Sequence, residues 1–138
     1  MINYYLAFLT WGVYCTIEGI MHEFIWHKAR LANDFDNNWR GKDIHVYFTY
    51  MRLLIVGLLL HQANMWSIVL VAALVQPFIH NGFMYSARNT ELGFSAFIGN
   101  GSSDSSAKLS FKNGRVRLGL FLLGIIVIFV QSAWYYGS

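Results

Sequence analysis

With 138 residues, 56% of them hydrophobic and only 12% charged, and a mean hydropathy of +0.41, the chain departs from soluble domains, in which about a quarter of residues are charged; it reads as one small membrane domain. The formal net charge of +3 is what anionic lipid at an inner membrane face accounts for, so nucleic acid is not called for as a partner. A single cysteine, Cys15, excludes an intrachain disulfide and any CxxC metal or redox motif.

The first apolar segment runs over residues 4–26. No Lys or Arg precedes it and no small-residue cleavage signature follows, so it reads as a retained anchor and not a removable signal peptide. It ends in IEGIMHEFIWH, which places Glu18, His22, Glu23 and His27 within about three helical turns. Residues 27–44 mix acids with bases around Trp39 and read either as a surface amphipathic helix or as a solvated connector. A second, short span over 45–61 contains Arg52, and after the turn HQANMW a third covers 66–87, so that these two form a helical hairpin.

Residues 88–116 hold the Gly/Ser tract GNGSSDSSAK and then LSFKNGRVRL, in which Asn113-Gly114 is a hairpin signal; a short helix capped by Ser105 or Ser106 is the competing reading. Asn100 opens a glycosylation sequon that a cytoplasmic loop would keep from the transferase. The fourth span covers 117–135. Open backbone polar groups cannot face lipid, and the runs lack the alternation of a barrel, so the expected fold is all-α: a four-transmembrane-helix bundle.

The basic residues set its orientation. Lys28, Arg30, Arg40 and Lys42 follow the first span, and Arg88, Lys108, Lys112, Arg115 and Arg117 lie between the third and fourth. By the positive-inside rule, loops 27–44 and 88–116 are expected to be cytoplasmic and both termini non-cytoplasmic, in a plasma or inner membrane. Tyr4, Tyr5, Trp66, Trp134, Tyr135 and Tyr136 would form one interfacial belt, with Trp26 and Tyr47 on the other side.

Depth then groups the polar residues. At 1.5 Å per residue Glu18 lies about 12 Å and His22 about 6 Å inside the first span, and Arg52, His80 and Asn81 lie about 9 to 12 Å inside theirs, with Gln76 somewhat deeper. Intramembrane ionisable groups face the bundle interior and find partners, so Glu18, His22, Arg52, Gln76, His80 and Asn81 read as one inward-facing cluster. Glu18 and His22 share a helical stripe, as do Gln76 and His80. Pro77 deprives the Ala73 carbonyl of its donor and is expected to kink the third helix. Gly12, Thr16 and Gly19 on the first helix, and Gly119 and Gly124 on the fourth, offer sites of close backbone approach.

Three readings of the cluster compete. In the first, Glu18 and Arg52 neutralise each other while the remaining members complete a hydrogen-bond network. In the second, Glu18, His22 and His80 ligate a divalent metal, zinc or iron, although neither E-x-x-x-H nor HEFIWH matches a ligand motif. In the third, His22 and His80 are axial ligands of a b-type haem. Glu23 and His27 read as a solvated interfacial pair. Tyr85 and Arg88 could contact a lipid headgroup phosphate, with snorkelling of Arg88 as the competing account. No serine sits where a nucleophile would be held rigidly, and no phosphate loop exists. The expected function is a non-enzymatic binding or accessory subunit, packing against another membrane protein or against itself as a homo-oligomer. The alternative is an intramembrane metal-dependent enzyme acting on a lipid or small substrate, or a haem-binding anchor.

Overall fold

A computed structural model describes residues 1–31, 39–87, 95–99 and 113–137, with side chains described for 1–25, 46–87, 95–99 and 113–137. Every element is helical: α1 (Ile2–Leu31), α2 (Trp39–Ala63), α3 (Ser67–Ala87), the single turn α4 (Ser95–Ile98) and α5 (Gly114–Gly137). Three helical segments are long and apolar enough to cross a membrane, Val46–Ala63, Ser67–Ala87 and Gly114–Gly137. The chain is thus an all-helical membrane protein. Helix α1, which carries Glu18 and Glu23, is not among the three.

Helix α3 is the centre of the packing. It lies between α1 and α5 and also touches α2 and α4, while α2 leans mainly on α1. The inner stripe of α1 is Tyr4, Ala7, Trp11, Cys15 and Glu18, spaced by three or four residues as one helical face requires. It meets Ile68, Val71, Ala72 and Val75 of α3, with Leu59 and Ala63 of α2 and Ile128 of α5 closing the core. The outer faces are apolar too: Leu9, Val13 and Phe24 on α1, Leu53, Leu54 and Leu58 on α2, and Leu122, Ile126, Phe129 and Val130 on α5 are exposed. In water such a perimeter would aggregate; against lipid it is the expected surface.

Two glycines bring helices together. A Cβ on Gly19 would strike the His80 carbonyl of α3, and one on Gly124 would lie 2.7 Å from Cγ1 of Val75. Gly119 faces open space, and Gly12 has nothing nearer than Cδ1 of Ile79, at 4.0 Å from a built Cβ, so neither is a close-approach site. Helix α3 runs unbroken through Pro77. The indole of Trp11 donates to the Ala72 carbonyl (2.8 Å), one residue before the carbonyl that Pro77 deprives.

Helix bounds differ from the expected spans where local chemistry outweighs hydropathy. Asn64 ends α2 with φ of 52°, the left-handed geometry that Asn tolerates at a helix C-terminus, and its N–H donates to the Leu60 carbonyl (2.9 Å). Asn113-Gly114 does not turn a hairpin. Asn113 caps α5 instead, its Oδ1 accepting from the Arg115 N–H (2.9 Å), and Gly114 lets that helix start against the Ile98 carbonyl. Both ends of the connector 27–44 are helical backbone, since α1 continues to Leu31 and α2 starts at Trp39; residues 32–38 lie outside the described residues. The Asn100 sequon and the Ser105 or Ser106 cap lie outside the described residues.

Candidate functional site: an intramembrane polar layer

Glu18 is 2% exposed and immediately precedes Gly19, whose contact draws α1 onto α3. Arg52 reaches it from α2: Nε donates to Oε1 (2.9 Å) and Oε2 (3.1 Å), and Nη2 also pairs with Oε1. This fork engages both carboxylate oxygens. From α3, His80 Nε2 stands 3.6 Å from Oε1 of the same carboxylate. His80 Nδ1 is 3.0 Å from Asn81 Oδ1, an oxygen that can only accept, so Nδ1 carries the proton in the neutral ring. Three helices therefore meet at one carboxylate.

The other members lie around it. The His22 ring packs at 5.5 Å from His80 and 5.7 Å from Phe48. Tyr14, one turn before Glu18, has its buried hydroxyl close to that carboxylate. Tyr14 is uncharged and lies in an apolar run, so its i, i+4 spacing to Glu18 is the one signal of this role in the sequence. Gln76 is half-buried and makes no side-chain hydrogen bond among the described residues.

Several sequence expectations change here. Among the described residues no three His, Cys, Asp or Glu side chains converge as metal ligands; Glu18, His22 and His80 are neighbours, but the Glu18 oxygens are held by Arg52. The His22 and His80 rings are neighbours, with centroids 5.5 Å apart and planes inclined at 55°. Glu23 is buried and not solvated at an interface, while the side chain of His27 lies outside the described residues. Tyr4 is buried, not part of an aromatic belt.

Tyr85 is buried as well, beneath the Arg117 guanidinium at 5.2 Å, so it does not face headgroups; Arg88 lies outside the described residues. Arg117, which the charge count assigned to a loop, is fully buried, and its Nη2 donates to the carbonyls of Phe97 (3.0 Å) and Gly99 (2.8 Å). It ties the carbonyl end of α4 to α5. The Phe97 ring of α4 lies over Gly82 and contacts Phe78 and Phe83, each at 5.3 Å between centroids. No protein family, curated protein or solved structure matches the chain.

Proposed function

We propose that this protein is a four-span integral membrane subunit without chemistry of its own, which acts by packing its second helix against another membrane component. In this reading α1 is the fourth span, both termini are non-cytoplasmic, and loops 27–44 and 88–116 are cytoplasmic in a plasma or inner membrane. The observation that carries it is Arg52. Its guanidinium is held on Glu18 at about 9 Å inside a span that starts at Val46, yet 36% of the side chain remains uncovered. Nε and Nη2 are committed to the carboxylate, and among the described residues nothing accepts from Nη1.

An arginine held in this way cannot snorkel, and donors facing hydrocarbon are costly. A transmembrane helix laid over this edge, with a carbonyl, hydroxyl or amide oxygen at the right height, removes that cost. Glu18 already balances the charge, so the partner group need only be a neutral acceptor. A second copy of this chain serves as well as a different protein. The engagement of Glu18 by Arg52 also argues against the carboxylate acting as a base or a metal ligand.

Photocrosslinking residues at Leu53, exposed beside Arg52, and at Phe129, exposed on α5, test the reading in native membranes. Leu53 is expected to capture a transmembrane protein, this chain or another, and Phe129 to capture lipid. Lipid adducts alone at both positions would refute it. For orientation, cysteines placed at Ser103 and Ser138 with Cys15→Ser are expected to differ, only the C-terminal one reacting with an impermeant thiol reagent on intact cells. Labelling at Ser103 reverses the sidedness.

A further inference from the structure

Far from the polar layer, the start of α1, the α2–α3 turn and the end of α5 line an open cleft of about 520 Å³. We propose that this cleft is a binding site for the neutral glycosyl headgroup of a membrane lipid. Its polar lining comes from the amides of Asn3, Gln62 and Asn64 and from Tyr135 and Tyr136, over an apolar floor that includes Ala63 and Met65. Among the described residues, none of the three amide side chains makes a hydrogen bond to protein. Their donors and acceptors are thus available to a ligand.

The chemistry of the lining selects the ligand. A sugar hydroxyl is donor and acceptor at once, and so is a carboxamide, whereas a tyrosine ring offers a flat face to the C–H side of a pyranose. Among the described residues no acidic or basic side chain lines the cleft, so a phosphate would find no side-chain counter-charge from them. The volume lies in the range of small-ligand sites, about 300 to 1,000 Å³.

Position and rigidity favour a lipid. The candidate spans Val46–Ala63 and Gly114–Gly137 both end at the cleft, which sets it at the membrane boundary. Ile2 lines it and Leu6 follows one turn inward, both exposed, which continues an apolar track into hydrocarbon for acyl chains. Its walls are tied to each other. Ser67 Oγ donates to the Tyr4 hydroxyl (3.1 Å). Tyr5 donates to Ser132 Oγ (2.6 Å), because the Ser132 proton is given to the Ile128 carbonyl (2.7 Å).

Native mass spectrometry of the full chain, titrated with monogalactosyl diacylglycerol, phosphatidylcholine and phosphatidylglycerol of matched acyl chains, tests the site. Galactolipid is expected to be retained at least about fivefold over either phospholipid, a preference of about 1 kcal/mol. Asn3→Ala with Gln62→Ala is expected to abolish the preference without changing helical content; Asn64 is left intact because its backbone conformation suits Asn. Tyr136→Leu, at an exposed ring, is a second variant expected to lower retention severalfold. Equal or stronger retention of either phospholipid, or a preference unmoved in both variants, overturns the proposal.

Discussion

The Nε of Arg52 lies 2.9 and 3.1 Å from the two oxygens of Glu18, so one guanidinium on α2 spans a carboxylate on α1 that His80 of α3 also approaches. Neither charge is tolerable alone in hydrocarbon. Arg52→Gln strands the buried Glu18 carboxylate and is expected to destabilise the bundle by about 3 to 5 kcal/mol, whereas Glu18→Gln is expected to cost about 2 to 3 kcal/mol, because Arg52, once released from Glu18, is partly uncovered and can swing toward headgroups. The double variant should recover at least half of the summed loss in a denaturant titration of the detergent-purified protein. Strict additivity would mean that the pair does not act as a unit.

Glycine contacts give a sharper contrast. Gly19→Ala puts a methyl against the His80 carbonyl and must push α1 away from α3, at a cost of about 2 kcal/mol. Gly119→Ala meets open space and should be neutral or stabilise by up to about 1 kcal/mol through helix propensity. Thermal unfolding of the two variants under one condition checks the pair. Equal destabilisation would show that the α1–α3 approach is looser than described.

Arg117 holds α4 through two carbonyls. Arg117→Gln shortens the side chain and removes its charge, and the expected loss is about 2 to 3 kcal/mol of local stability. Limited proteolysis and amide exchange should show residues 95–99 opening first. Arg115→Gln, two residues earlier and exposed, should leave that segment protected.

Asn113 caps α5 with its side-chain oxygen. Asn113→Ala should cost about 1 kcal/mol, while Asn113→Asp or Ser, which keep a capping oxygen, should lose only a few tenths. Circular dichroism during thermal unfolding reads the difference. A null effect for alanine would return the Asn-Gly pair to an ordinary turn.

Much of the architecture was legible in the amino-acid order. Apolar runs without strand alternation imply helices, and these are the described elements. Counting 1.5 Å per residue from each span boundary put Glu18, Arg52, His80 and Asn81 at one depth, because helical rise is a local property independent of neighbours. Azimuth is another matter. The charge count set Arg117 beside a loop and Tyr85 read as a headgroup contact, yet both are buried together, since the short turn at Ser95–Ile98 brings carbonyls that the Arg117 guanidinium satisfies. Asn-Gly reads as a hairpin until an adjacent helix needs a cap.

The sequence by itself determined that the apolar segments are helices of a membrane protein, through composition and the cost of bare backbone in lipid. Tertiary structure alone decided which groups meet. Glu18 could have taken a metal, a histidine or Arg52; the close approach at Gly19 and the position of α2 placed both its oxygens under one guanidinium. Asn3, Tyr4, Gln62, Asn64, Tyr135 and Tyr136 line one cleft only because the start of α1, the α2–α3 turn and the end of α5 come together. Rise along a helix is set by the backbone, whereas rotation about its axis is set by the packing of the helices beside it.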